Sequence, residues 1–167
     1  MTRPMLDGVR WIALLFLTLG LSGCKSVHVE RWVPASSSEI WSVLMDGSGY
    51  GAWNPVLVEA DGAFREGGTM AYRMMTPDGT TTPVEAEIRR LEPGVELNQS
   101  GGLPGILTFD HHWILESVEG GTRVIQHEDY AGVGVLFWDP GWYEEAYARG
   151  LEALEARVAE RRAERAR

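Results

Sequence analysis

Three places in the chain carry residues whose types and spacing could do chemistry. The first is a strand pair around residue 120. Leu107 to Ser117 and Thr122 to Tyr130 flank Val118-Glu119-Gly120-Gly121, a hairpin signal. If Ser117 pairs with Thr122, His111 lies opposite Glu128, Trp113 opposite Gln126 and Leu115 opposite Val124. Residues facing each other across an antiparallel pair are within side-chain reach. A carboxylate there would raise the histidine pKa, and the two groups could bind or protonate a polar ligand head. A purely structural charged pair is the competing reading. His112 points to the opposite face from His111. The two histidines therefore do not chelate one metal, no third ligand is evident, and neither a metal nor a cofactor is expected. The second place is Cys24, the single cysteine, which rules out an internal disulfide. The third is Gly101-Gly102-Leu103-Pro104-Gly105. No lysine and no helix start follow it, so it reads as a loop rather than a phosphate cradle.

These residues need elements to hold them. Tyr143, Tyr147, Leu151, Leu154 and Val158 recur three or four residues apart, which predicts a helix from Asp139 to about Val158 with one apolar face. Asp139-Pro140 suits its start. Most of residues 55–133 reads as strand: Val56 to Phe64, Thr69 to Thr76, Thr82 to Leu91, Val95 to Ser100, and the hairpin. Pro77-Asp78-Gly79 and Glu92-Pro93-Gly94 are turns. Val27 to Val33 alternates as a first strand, and Ser36 with Glu39 makes a capping box for a short helix over Ile40, Val43 and Leu44. The face of the hairpin bearing Trp113 and Leu115 should meet the long helix. His111, Gln126 and Glu128 would then share the concave side. After Val158 the Arg/Glu/Ala tail reads as solvated.

A strand, a short helix with Ile40-Trp41 near its start, then Asp46 and Tyr50-x-x-Trp53-Asn54-Pro55 resemble the START-like (SRPBCC) superfamily and its polyketide cyclase/dehydrase branch. The resemblance runs from about Val27 to Val158. It implies an α+β helix-grip fold: a curved antiparallel sheet of six or seven strands wrapped round a long C-terminal helix, with a cavity between. It also implies that Trp53 and Asn54 sit near the cavity mouth. Tyr72 and Met74 share one face of the third strand. Trp138, Trp142, Tyr143 and Tyr147 belong to the loop and helix that close the grip. The candidate lining is therefore Trp53, Asn54, Tyr72, Met74, His111 and Trp113, with Gln126, Glu128, Trp138, Tyr143 and Tyr147.

The N-terminus reads as an address. Arg3 and Arg10 precede the mostly apolar run Trp11 to Leu19, which is too short to span a bilayer comfortably. Leu21-Ser22-Gly23-Cys24 resembles the bacterial lipoprotein lipobox. That resemblance implies a cleaved signal peptide over residues 1–23, a diacylglycerol on the sulfur of Cys24, and a membrane partner held through that lipid. Lys25 in the following position implies the outer membrane rather than the inner. Two or more acyl chains anchor a protein stably where one does not. With residues 24–26 as tether, the domain over 27–160 would sit within about 10 Å of the anchor, followed by a charged tail over 161–167.

The chain has 167 residues and a net charge of −9, and loss of residues 1–23 makes it one unit more negative. That sign excludes the basic footprint of a nucleic-acid-binding protein. Seven tryptophans suit a core or an apolar ligand site. The reading is a membrane-anchored lipoprotein that binds a hydrophobic or amphipathic small molecule or lipid. The alternatives are an envelope interaction or scaffold protein without ligand, and a cyclase/aromatase-type enzyme using His111 and Glu128 as acid and base.

Overall fold

The computed structural model describes residues 23–167. The signal peptide read over residues 1–23 therefore lies, save for Gly23, outside the described residues. The strands are β1 (Gly23–Val33), β2 (Leu57–Gly62), β3 (Thr69–Met75), β4 (Thr81–Glu92), β5 (Glu96–Leu103), β6 (Leu107–Val118) and β7 (Gly121–Gly132). They form one antiparallel sheet in the order β1-β7-β6-β5-β4-β3-β2. Helix α1 (Ser37–Leu44), a 3-10 turn (Gly47–Gly49) and α2 (Tyr50–Trp53) join β1 to β2. A second 3-10 turn (Val133–Phe137) leads from β7 to the long helix α3 (Gly141–Arg165). This is the expected α+β helix grip.

Helix α1 starts where its sequence says. Ser36 Oγ accepts from the Glu39 amide, and the Glu39 carboxylate accepts from the Ser36 amide at 2.9 Å. Two otherwise unpaired helix donors are thereby satisfied. The α3 start differs in detail. Pro140 occupies the cap position, and Asp139 acts from one residue further back, its Oδ1 accepting from the Gly141 amide at 3.0 Å.

The apolar stripe of α3 closes the core. Leu151, Leu154 and Val158 pack with Trp113 and Leu115 of β6, Ile88 of β4 and Ile40, Val43 and Leu44 of α1. The helix runs seven residues past Val158 because its arginines find partners. Arg161 pairs with Asp46 and donates to the Ser42 carbonyl at 3.1 Å, and Arg162 Nε lies 2.9 Å from Glu39 Oε1. The first residues of the expected tail are thus docked rather than solvated. At the β1 edge of the sheet Arg31 meets Glu155 of α3 at 2.5 Å.

Two boundaries differ from the sequence reading. β1 begins at Gly23, with Cys24 opposite Ala131 and Lys25 opposite Tyr130. Residues 24–26 are therefore strand, not free tether. The glycine run after Ser100 is also strand as far as Leu103. Glycine is required there: a Cβ on Gly101 would lie 2.3 Å from the Glu85 carbonyl oxygen and 2.7 Å from the Phe109 ring, and Gly102 has φ +96°. The backbone bends at a place no side chain could occupy.

Candidate functional site

The hairpin register is as expected: His111 faces Glu128, Trp113 faces Gln126 and Leu115 faces Val124. The four polar or aromatic side chains of that set point under α3, into a cavity of about 270 Å³. Its walls are mainly apolar. Val56 and Leu57 after α2, Met74 of β3, Val84 and Ala86 of β4, and Phe109 of β6 supply most of them. Gly150 of α3 forms part of the roof.

The buried end is polar. Glu128 is 5% exposed. Its Oε2 accepts from the Tyr130 hydroxyl at 2.5 Å and from the Tyr147 hydroxyl. Burial pushes the Glu128 carboxyl up to about 7, against the pull of those two donors. A carboxyl with that pKa is balanced between its two states near neutrality. His111 Nε2 lies 3.3 Å from Gln126 Nε2, and its ring packs against Trp113 and Tyr147. Gln126 Oε1 is buried with no hydrogen-bond partner among the described residues. Further along, Gln99 Nε2 donates to the Tyr72 hydroxyl at 2.6 Å.

One expectation is overturned. Glu128 was to raise the His111 pKa. Burial instead lowers it to about 3, helped by the charge of His112. The two residues share a face, but the Glu128 carboxylate turns toward its tyrosine donors rather than the imidazole. His111 is therefore neutral at pH 7, and the ionisable group of the cavity is Glu128.

Of the eleven candidate residues, ten line this space: Asn54, Tyr72, Met74, His111, Trp113, Gln126, Glu128, Trp138, Tyr143 and Tyr147. Trp53 does not. It packs edge-on against Tyr50, ring centroids 5.4 Å apart, and its indole nitrogen is buried with no partner among the described residues. Asn54 has a structural task as well, its Oδ1 accepting from the Val56 and Leu57 amides at 2.9 and 2.8 Å. Trp142 stacks on Tyr143 at 4.0 Å and stays outside the lining. No group of three metal-ligating side chains converges among the described residues.

Residues 25–159 match the family described as polyketide cyclase/dehydrase and lipid transport. The chain belongs to that family. No curated protein matches it. Among solved structures, this family member is similar to an uncharacterized protein from Rhizobium leguminosarum, at 18% identity, TM-score 0.67, with 83% of this chain and 97% of that one covered. It is also similar to the di-domain ARO/CYC StfQ from the steffimycin biosynthetic pathway, at 13% identity and TM-score 0.68 over 84% of this chain and 52% of that one. A third is Ara h 8.0201, at 14% identity and TM-score 0.64, covering 83% and 99%. At these identities the likeness is one of fold.

Three polar lining residues of this polyketide cyclase/dehydrase and lipid transport domain, Thr82, Gln99 and Tyr130, are absent from the sequence reading. Tyr130 follows Glu128 by two and so shares its face; the alternation that places Glu128 places it too. Gln99 is reached only through the β5–β6 register, in which it faces His111. That register depends on where the glycine-rich strand ends, which the sequence does not signal.

Proposed function

We propose that the protein is a lipid-anchored envelope protein that holds one small hydrophobic or amphipathic molecule in the grip cavity. The observation that carries this reading is the apolar cavity closed at its buried end by Glu128, Gln126 and His111. Its volume of about 270 Å³ is near the lower edge of the roughly 300–1,000 Å³ of small-molecule sites. That suits a single ring system or short chain rather than a bulky two-chain lipid. The free acceptor at Gln126 and the Glu128 carboxylate favour a ligand whose polar end donates a hydrogen bond, such as a hydroxyl. A bound carboxylate would meet acceptors and a like charge. The anchor is the acylated Cys24, with the outer membrane as its site.

The test is mass spectrometry of small molecules released from the protein purified from its own membrane. One molecule bearing a hydroxyl or amine per chain is the expected result. An empty cavity that also fails to take up an apolar fluorescent probe would refute the reading. Labelling with a fatty-acid analogue, lost in Cys24→Ala, tests the anchor separately.

A second reading has one observation behind it. A buried carboxyl with a pKa of about 7, lining a cavity, suits proton transfer near neutrality. A cyclase-type enzyme would then use Glu128 rather than His111 as its acid or base. Glu128→Gln, which keeps the shape of the site, should abolish turnover of a bound polyketone while His111→Gln retains it.

A further inference from the structure

The exposed large apolar side chains gather at the two ends of the sheet, and the ends are not alike. Trp32, Val95 and Val118 lie at the end of the β6–β7 turn. At the opposite end are Leu103 and Ile106 on the β5–β6 turn and Val133, Leu136 and Phe137 on the 3-10 turn, with Phe137 88% exposed. Backbone bonds tie these two turns into one surface: the Val133 amide donates to the Gly105 carbonyl at 3.1 Å and the Gly134 amide to the Ile106 carbonyl at 2.7 Å.

Three further features converge on that surface. The first is the chain's entry. A Cβ on Gly23 would lie 3.1 Å from Leu136 Cδ2, so β1 begins against the patch, with Cys24 exposed beside it. The second is the cavity: its partly or fully exposed rim includes Gly102, Leu107 and Trp138, all at this end. The third is charge. The Lys25 ammonium is held at the Trp138 backbone carbonyl, which sets a cation at this end, where a lipid headgroup boundary would lie. A second copy of the chain is a poor occupant. A stable interface takes roughly 20–30 residues a side, far more than five side chains on two turns.

We propose that this end of the domain rests in the lipid–water interface, with Phe137 and Leu136 among the acyl chains and the cavity rim opening onto the bilayer. The ligand then passes between membrane and cavity without crossing water. This rests on the anchor reading above and adds to it an orientation and a route.

The test uses the full, acylated chain in vesicles of phosphatidylethanolamine and phosphatidylglycerol containing doxyl-labelled phosphatidylcholine. With Cys24 acylated, Phe137→Cys offers a single thiol for a bimane label, and Glu119→Cys at the opposite end is the control. The expected result is strong quenching and a blue shift at position 137 and neither at 119. Protein retained on the vesicles with both labels unquenched overturns the proposal and leaves the anchor standing. A blue shift at 137 that follows protein concentration rather than lipid makes a second copy the occupant, and overturns it too. Protein that does not stay on the vesicles sinks the anchor reading and the proposal together.

Discussion

Replacing Glu128 with glutamine should uncover a pH dependence that two buried groups conceal in the natural chain. Glu128 titrates at about 7 in the fold against an ordinary 4.5. The folded chain therefore keeps a proton that the unfolded chain has lost, and stability falls as pH rises from 4.5 to about 7. His111 acts in the opposite sense. Burial lowers it from 6.5 to about 3, so the unfolded chain binds a proton that the folded chain refuses. Stability is then lost as pH drops from 6.5 toward 3. Between pH 4.5 and 6.5 the two slopes oppose each other, each about 1.4 kcal/mol per pH unit. Across that window each amounts to about 3 kcal/mol, and the pair nets to nothing. Glu128→Gln removes one arm and leaves Tyr130 and Tyr147 an amide oxygen to bond. Relative to the natural chain, its stability should rise by about 3 kcal/mol from pH 4.5 to 6.5. His111→Gln should fall by a similar amount. Urea unfolding followed by tryptophan fluorescence at pH 4.5, 5.5 and 6.5 measures both, with an unchanged slope on denaturant as the check on the unfolded state. Taking differences from the natural chain cancels every other carboxylate. A Glu128→Gln difference that stays constant across the three pH values would refute the account of the buried end.

Three further outcomes follow from the same geometry. Gly150→Ala should stabilise the protein by about 1 kcal/mol, since an interior helix glycine costs about that much and its Cβ would meet Gln126 Oε1 and Val56 Cγ2 at 3.9 and 4.0 Å, ordinary contact distances; a melting temperature raised by about 2–4 °C checks it, while Gly150→Leu should fill the cavity and abolish probe uptake. Tyr147→Phe removes one donor from the Glu128 carboxylate, and should cost about 1.5–3 kcal/mol at pH 8 but clearly less at pH 5, where the carboxyl is protonated; urea unfolding at the two values separates them. Ser36→Ala strips the α1 cap and should cost about 1 kcal/mol with no change in probe uptake, seen as a lower urea midpoint.

What could be read from the chain, and what could not, divides along physical lines. The β6–β7 register follows from a four-residue turn and strict alternation, so every facing pair from Val118 and Gly121 to Thr108 and Ala131 comes out in order. The capping box at Ser36 and the stripe of α3 are equally local. Which way a side chain turns once it is on the right face is not local. Glu128 chooses Tyr130 and Tyr147 over His111, and the sign of the His111 pKa depends on burial that no spacing reports. Gly101 and Gly102 are a bend inside a strand rather than a loop, because Phe109 needs the room at Gly101 and Gly102 takes a positive φ against the Leu107 carbonyl. Trp53 carries the family-like Trp-Asn-Pro signal, yet only its neighbour Asn54 reaches the cavity. The end of α3 is set by acids 115 and more residues away in sequence, of which Asp46 is one.

The pairing of β1 with β7 sets an order of assembly. Among the described residues β1 is made first, and its partner in the sheet is the last strand made, so this ladder waits for nearly the whole domain to emerge. In the interval the lone strand is kept soluble by Lys25, Glu30 and Arg31, charges that discourage a bare edge from finding a wrong neighbour. Arg31 cannot reach Glu155 until α3 also exists. Zipping the ladder draws Cys24 up to Ala131, so completing the sheet and bringing the body of the protein to the proposed point of attachment are one event.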